Sequence, residues 1–222
     1  MADRKIAPLF VLVFSVILIL LLGFYYNEPF VIGSGFHSLR FVLYLVFPIL
    51  LNIFYFKISW RELGVAKPYL NRTSKRMLFG FAILTPFVVY LIHLSPDYLN
   101  AYPYYRNQSV STFERLSQFS IFTFSTMVGW EFLLRAYLLF GMRRLLENQH
   151  RVSSELATAL SILWVCTFEV LYHFVKPDLE AWGMLIASPI LSWIAFKTRS
   201  FFVPLAFHLF IETSFIISII YF

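Results

Sequence analysis

Long apolar stretches alternate with short polar segments along nearly the whole chain. Seven of these stretches hold roughly twenty residues each, the length with which a helix crosses the hydrocarbon core of a bilayer. The pattern therefore predicts an all-α fold, a polytopic membrane bundle of about seven transmembrane helices. The predicted spans cover residues 8–26, 37–56, 77–95, 116–141, 155–175, 181–197 and 201–221.

Local signals set the ends of several predicted helices and divide the chain. Ser111 and Glu114 have the spacing of a capping box, which predicts a helix that begins at the next residue after the serine. The first span is longer than the core of a signal peptide and lacks a cleavage site after it, so we expect it to be retained. The longest polar segment, 57–76, is predicted to be a cytoplasmic loop. We expect residues 1–109 to form an N-terminal scaffold of transmembrane helices and residues 110–222 to form the functional core.

The charged residues give this bundle an orientation. Only 14% of the 222 residues are charged and 59% are hydrophobic, whereas a soluble domain is about a quarter charged. The net charge is +6, and thirteen of the eighteen Lys and Arg residues fall on one side of the bundle when the N-terminus is cytoplasmic. This is the positive-inside bias of membrane proteins, so the basic character requires no nucleic acid as a partner. We expect a multi-pass integral protein, in the cell (inner) membrane if the host is a prokaryote.

Ionisable residues inside the predicted spans are the first candidates for chemistry. A charged side chain near the bilayer centre costs about 2.5–3.5 kcal/mol on insertion scales, which makes each one a functional suspect. The C-terminal half holds three pairs with a spacing of four residues, so the members of each pair share one helix face. The pairs are Glu131 with Arg135, Glu169 with His173, and His208 with Glu212.

Three polar faces in one bundle most simply converge on each other, away from lipid. Such a group of carboxylates, imidazoles and a guanidinium can deprotonate water and stabilise an oxyanion. For Glu131 and Arg135 alone, the alternative is a structural ion pair that joins one helix to its neighbours. A buried histidine on its own is more often a satisfied hydrogen-bonding residue than a catalytic one. The coincidence of three pairs favours a shared site.

The three pairs also lie in segments that resemble the motifs of a known family. The segments are "WEFLLRAYLLFGMRR" from Trp130, "FEVLYHF" from Phe168 and "TRSFFVPLAFHLFIE" from Thr198. In order and interval they resemble the Glu-Glu-x-x-x-Arg, Phe-x-x-x-His and His-x-x-x-Asn motifs of the CAAX-protease and bacteriocin-processing (CPBP) family of intramembrane proteases. The resemblance covers roughly residues 110–222 and implies an intramembrane protease core there.

The resemblance implies a role for each matching residue. A glutamate of the first motif and His173 would activate the attacking water. His208 and Glu212 would stabilise the oxyanion, and Arg135 would hold the glutamate by an ion pair. The implied enzyme is a glutamic-type endopeptidase that needs no cofactor and cleaves a peptide or protein substrate in the membrane.

Three positions depart from the family's motifs. Trp130 stands in place of the first glutamate, which in the family is usually held to be the base. Glu169 stands in place of the phenylalanine of the second motif, and Glu212 in place of the asparagine of the third. The chain therefore resembles a variant branch with "WE" in place of "EE".

The missing first glutamate leaves three interpretations. Glu131 takes the role of base itself, or Glu169 or Glu180 supplies the second carboxylate. We also expect the segment from Lys176 to Glu180 to line a water-filled cavity, where irregular backbone is tolerated. In the third interpretation, catalysis has been lost. We expect a working protease.

Other classes of function compete with a protease. A non-catalytic membrane scaffold of the same family is favoured by Trp130, and a proton-coupled transporter by the buried Glu and His residues. Zinc could in principle bind the same residue types, but Arg135 next to Glu131 disfavours a dication, and we expect no metal. Cys166, the one cysteine, permits no intrachain disulfide. A transpeptidase-like reaction at its thiol is a further rival, although a buried cysteine is usually inert.

Overall fold

The computed structural model describes residues 3–25, 38–94, 107–174 and 178–221. Within these ranges all regular secondary structure is helical, as the apolar pattern predicts. The helices are α1 (Asp3–Tyr25), α2 (38–56), α3 (Arg72–His93), α4 (112–150), α5 (Ser154–His173), α6 (Asp178–Thr198) and α7 (Phe202–Tyr221).

Each of the seven predicted spans coincides with one of these helices, although the predicted ends at residues 26, 37, 95 and 175 lie outside the described residues. Four helices are long and apolar enough to cross a membrane, and α1 contains a shorter apolar stretch, Pro8–Gly23. These helices make the chain compatible with a multi-pass integral membrane protein. The four segments are Leu39–Phe56, Ser74–Leu91, Ser154–His173 and Phe202–Ile220.

Helix α4 begins where its capping signal predicts. Its first residue is Thr112, and the backbone N–H of Glu114 donates to the Ser111 hydroxyl at 3.2 Å. This bond satisfies one of the donors that a helix leaves free at its N-terminus. Helix α5 begins in the same way, because Ser153 accepts a hydrogen bond from the N–H of Leu156 at 3.3 Å.

Helices α2 and α4 are continuous but contain wider π-helical turns. In α2 these turns are Val42–Val46 and Asn52–Phe56, and in α4 they are Thr123–Met127 and Phe132–Phe140. Turns of this kind are rare, and they are frequently found at functional sites. The longest of them follows Glu131 directly.

Helix α4 runs through the centre of the bundle. Every residue from 129 to 142 is buried, and helices α1, α2, α5, α6 and α7 contact this helix. Gly129 permits the close approach of α2, since a Cβ at this position would lie 2.9 Å from the Cβ of Tyr44. The polar side chains of this buried segment, Glu131 and Arg135, are therefore surrounded by protein.

Helices α5 and α6 pack against each other through small side chains. Ala157 and Ser161 of α5 and Ser188, Ser192 and Ala195 of α6 are all fully buried. Small residues let two helix backbones approach closely, which is the usual basis of helix association within a bilayer.

The connection between α2 and α3 covers 57–71, so it is shorter than the predicted loop 57–76, because α3 begins at Arg72. It is fixed to the turn between α6 and α7, where the backbone N–H of Phe201 donates to the Gly64 carbonyl at 3.1 Å. Gly64 has a φ of +74°, a conformation that residues with a Cβ rarely adopt. The connection is thus a packed part of the fold.

A second attachment links the same connection to the end of α4. Glu62 forms an ion pair with Arg144 at 2.7 Å and accepts a hydrogen bond from the Ser59 hydroxyl at 2.8 Å. The hydrogen bond from Ser59, together with the positive charge of Arg144, lowers the pKa of the Glu62 carboxyl. The segment is therefore held at both the α4 end and the α6–α7 turn.

Candidate active site

The three polar pairs meet in the interior of the bundle, as the sequence predicts. Glu131 of α4 contacts His208 of α7, with 2.7 Å between Oε1 and Nδ1. Arg135 of α4 contacts Glu169 of α5, with 2.7 Å between Nη2 and Oε2. Helices α4, α5 and α7 thus contribute to one network of charged and polar side chains.

Arg135 lies between two buried carboxylates but pairs mainly with one of them. Its Nη1 and Nη2 atoms lie 2.8 and 2.7 Å from the two oxygens of Glu169, a two-point contact. The distance from its Nε to Oε2 of Glu131 is longer, 3.7 Å. All three side chains are fully buried, so the guanidinium is neutralised chiefly by the carboxylate of the neighbouring helix. The expectation that Arg135 holds the glutamate of its own helix is therefore met only by the weaker contact.

Trp130 contacts the same carboxylate. Its indole Nε1–H donates to Glu169 Oε1 at 3.2 Å, beside the bond from Arg135 to that oxygen. The indole ring packs against Tyr172 and His173 at centroid distances of 4.6 and 5.9 Å. Trp130 therefore donates a hydrogen bond to the network, and its ring packs along one side of it. Sequence reasoning treated it only as a lost glutamate.

The orientation of His173 is set by a main-chain oxygen. Its Nδ1 lies 2.7 Å from the carbonyl oxygen of Glu169, one turn earlier in α5. A carbonyl oxygen can only accept, so Nδ1 carries the hydrogen, and in the neutral ring Nε2 is the basic nitrogen. The His173 side chain is buried, 4% exposed.

His208 connects the buried part of the network to a more accessible part. Its Nδ1 contacts Glu131, and its Nε2 lies 3.8 Å from Oε1 of Glu212. The side chains of His208 and Glu212 are 17% and 19% exposed, whereas that of Glu131 is fully buried. A reactant that approaches from the α7 side would meet the imidazole before the inner carboxylates.

Two of the predicted site residues are not part of this description. Lys176 and the side chain of Glu180 lie outside the part of the chain that the structure describes. The predicted water-filled cavity that they would line stays a prediction for the same reason.

The donor set of this network does not resemble a metal site. Among the described residues, no group of three or more His, Cys, Asp or Glu side chains could hold a metal ion. A guanidinium lies between the two innermost carboxylates, and its fixed positive charge opposes a divalent cation there. Cys166 is half-buried on the same helix as Glu169 and has a free thiol.

The sequence hints at the contact of Trp130 with Glu169 only through the departure of positions 130 and 169 from the motifs that the chain resembles. The two departures from the first two family motifs, at positions 130 and 169, are in direct contact through one hydrogen bond. Arg135 thus has two carboxylates beside it, those of Glu131 and Glu169.

Fold and site together define an all-helical chain with several apolar helices and a buried carboxylate–guanidinium–imidazole network. Comparisons of the chain with protein-family models, with curated proteins and with solved structures gave no match. The assignment of function therefore depends on the geometry of the network and on the motif resemblance.

Proposed function

We propose that the chain is an intramembrane endopeptidase that hydrolyses a peptide bond of a membrane-delivered peptide or protein. One observation carries the proposal. Glu131 is fully buried and contacts His208 at 2.7 Å, whereas Arg135 forms its closer ion pair with Glu169. A buried carboxylate that does not form a close ion pair with its neighbouring cation can accept a proton from water. The resemblance of the three motifs to the CPBP family supports the same activity.

In this mechanism Glu131 and His173 activate the attacking water. The carboxylate takes the proton while the oxygen bonds to the scissile carbonyl carbon, which gives a tetrahedral oxyanion. His173 offers Nε2 as a second proton acceptor, because its Nδ1 is committed to a carbonyl. The proton then passes to the leaving nitrogen as the C–N bond breaks, which yields a carboxylate and an amine.

His208 stabilises the oxyanion in this mechanism. Its Nδ1 contacts Glu131 at 2.7 Å, whereas its Nε2 lies 3.8 Å from Oε1 of Glu212, beyond hydrogen-bond distance, so an Nε2–H group is the donor that faces the oxyanion in this mechanism. A donor that is fixed before the reaction stabilises developing negative charge without reorganisation. Glu212 orients this ring from the accessible side, in the position where the family has asparagine.

Glu169 is assigned a positioning role. Its two oxygens accept from Arg135 and Trp130, and its main-chain carbonyl orients His173. With both oxygens engaged, it is a poor proton acceptor, but it neutralises Arg135 and so keeps Glu131 free to react. This is the second carboxylate that the motif resemblance calls for, supplied by α5.

The membrane topology is part of the proposal. Seven helices would span the bilayer with the N-terminus in the cytoplasm, in the cell (inner) membrane of a prokaryotic host. The support is the coincidence of the helices with the predicted spans and the positive-inside distribution of Lys and Arg. The partners would be the lipid bilayer and a peptide or protein substrate.

A non-catalytic membrane scaffold is the second candidate function. It is favoured by the closed ion pair between Arg135 and Glu169, which by itself would join α4 to α5. A proton-coupled transporter ranks lower, although the contacts from Glu212 through His208 to Glu131 form a chain that could pass protons.

A comparison of host membrane proteomes tests the proposal. Cells would carry the wild type, Glu131→Gln, His173→Ala or the control Glu147→Gln, at equal abundance. Glu147 is a suitable control because it is a carboxylate of the same helix that is partly exposed and paired with Arg143 at 3.0 Å. One precursor should accumulate uncut in the first two variants and be processed normally in the control.

The scaffold would be favoured by a different outcome of that comparison. If no variant differs from the wild type while a full deletion changes the membrane proteome, the network is structural and the protease assignment is wrong.

A further inference from the structure

The first two turns of α3 form a basic surface away from the proposed active site. Arg72, Lys75, Arg76 and Phe79 line a groove with a volume of about 460 Å³. Their spacing of three and four residues places them on one face of the helix. The groove therefore combines three positive charges with one aromatic ring at the end of an apolar helix.

Among the described residues, none provides a counter-charge to these three cations. In the described part of the chain, no ion pair or side-chain hydrogen bond engages Arg72, Lys75 or Arg76. Other basic residues on the same predicted side do have partners. Arg144 pairs with Glu62, Arg143 with Glu147, Lys197 lies over Trp193, and Arg199 lies over Tyr69.

An apolar stripe continues from the basic groove along α3. Phe79, Ile83 and Phe87 follow at steps of four residues, and their side chains are 69%, 58% and 58% exposed. Helix α3 also has the smallest buried share of the four candidate spans, 12% of its window. One face thus presents cations at its end and then exposed hydrocarbon, the order in which a phospholipid presents its headgroup and acyl chain.

We propose that this face of α3 binds an anionic phospholipid. Its phosphate lies among Arg72, Lys75 and Arg76, and an acyl chain lies along Phe79, Ile83 and Phe87. Clusters of Lys and Arg at the cytoplasmic end of a span attract anionic lipids, and guanidinium groups bind phosphate oxygens by charge-assisted hydrogen bonds. The positive-inside rule requires basic residues on this side. It does not require three of them, without a partner among the described residues, on one face above an exposed apolar stripe.

The lipid would also support the helices that carry the active site. Phe81, on α3, packs on Phe207 of α7 at a centroid distance of 5.2 Å, and Phe207 is the neighbour of His208. A lipid that holds α3 in place therefore stabilises its contact with α7. This binding rests on the proposed membrane topology but not on the proposed protease activity, because it involves none of the proposed site residues.

Native mass spectrometry and thermal unfolding of the purified full chain test this site. The protein would be compared in nanodiscs of phosphatidylcholine with and without phosphatidylglycerol. The groove variant is Arg72→Gln/Lys75→Gln/Arg76→Gln, and the matched control is Lys57→Gln/Arg61→Gln/Lys67→Gln, which removes the same charge from the preceding connection.

The wild type and the control should retain phosphatidylglycerol and unfold at a higher temperature in its presence. In the groove variant the affinity for phosphatidylglycerol should fall by about a hundredfold. Each basic residue near an anionic surface raises the affinity by roughly fivefold, and the variant removes three of them. The variant Arg72→Lys/Arg76→Lys, which keeps the charge, should retain binding and serves as the check if the neutral variant folds poorly.

Three results would overturn the site. The neutral groove variant could bind phosphatidylglycerol as the wild type does, or the control could lose binding to the same extent, which would leave only a diffuse charge effect. In phosphatidylcholine nanodiscs, soluble glycerol phosphate could reproduce the full stabilisation, in which case the groove binds a free phosphate compound.

Discussion

The indole Nε1–H of Trp130 donates to Oε1 of Glu169 across 3.2 Å, and Arg135 donates to the same oxygen at 2.8 Å. Positions 130 and 135 of α4 therefore both face one carboxylate of α5. In the proposed mechanism, this relationship divides the roles of the two buried carboxylates. Glu169 would neutralise the guanidinium, and Glu131 would remain available for proton transfer.

The first prediction concerns the location of the positioning carboxylate. Glu169→Gln should reduce cleavage by at least about tenfold, because Arg135 would then form its ion pair with Glu131, which could no longer accept a proton. Adding Trp130→Glu should recover part of the activity, since Trp130 and Arg135 donate to the same oxygen of Glu169 and a carboxylate at position 130 would therefore lie near the guanidinium. The measurement is the rate of precursor cleavage in isolated membranes. A double variant no more active than Glu169→Gln would show that the carboxylate of Glu169 has a role that its charge alone does not explain.

Glu131→Gln should abolish cleavage without unfolding the protein. The amide keeps the shape of the side chain and the contact with His208, but it cannot accept a proton, so a loss of at least about a hundredfold is expected. Because Arg135 keeps its pair with Glu169, the thermal midpoint should change little. Cleavage by this variant at more than about a tenth of the wild-type rate would exclude Glu131 as the base.

Arg135→Ala should damage both stability and activity. It leaves the carboxylates of Glu131 and Glu169 buried without their shared cation, a change that costs about 3–5 kcal/mol. Abundance in the membrane and the thermal midpoint in detergent should both fall. Arg135→Lys keeps one charge but loses the two-point contact, so it should be intermediate. Full stability of Arg135→Ala would contradict the ion pair as a structural element.

Sequence and structure agree most closely on the features that depend on local pattern. The apolar stretches coincide with the seven helices of the described residues, and the capping signal locates Thr112, because hydropathy and capping act within one segment of chain. The spacing of four residues likewise identifies Glu131 and Arg135 as neighbours.

Spacing could not reveal which contacts between helices are the strong ones. Arg135 binds Glu169 more closely than its own-helix neighbour, since the rotation of α5 against α4 decides which carboxylate presents both oxygens. The bond from Trp130 has the same origin. The early start of α3 at Arg72 was also missed, because its first turns are polar and do not resemble a span.

The close packing of α2 on α4 gives a prediction for stability. Gly129→Ala places a Cβ 2.9 Å from that of Tyr44, so the helices must shift, at a cost of about 1–3 kcal/mol. Gly80→Ala is the matched control, since nothing lies within 4 Å of a Cβ there, and it should be neutral or stabilising by about 0.5–1 kcal/mol. Thermal unfolding in detergent measures both, and equal midpoints for the two variants would contradict the packing.

Hydrolysis by the purified protein is the most direct test of the central claim. Wild type and Glu131→Gln would be reconstituted with the precursor found in the membrane-proteome comparison, in water enriched in heavy oxygen, and the products read by mass spectrometry. The account expects the wild type to release a fragment whose new C-terminal carboxylate carries one solvent oxygen, and Glu131→Gln to release none. Absence of cleavage by the purified wild type, or equal cleavage by the variant, would contradict a glutamate-activated water in this site.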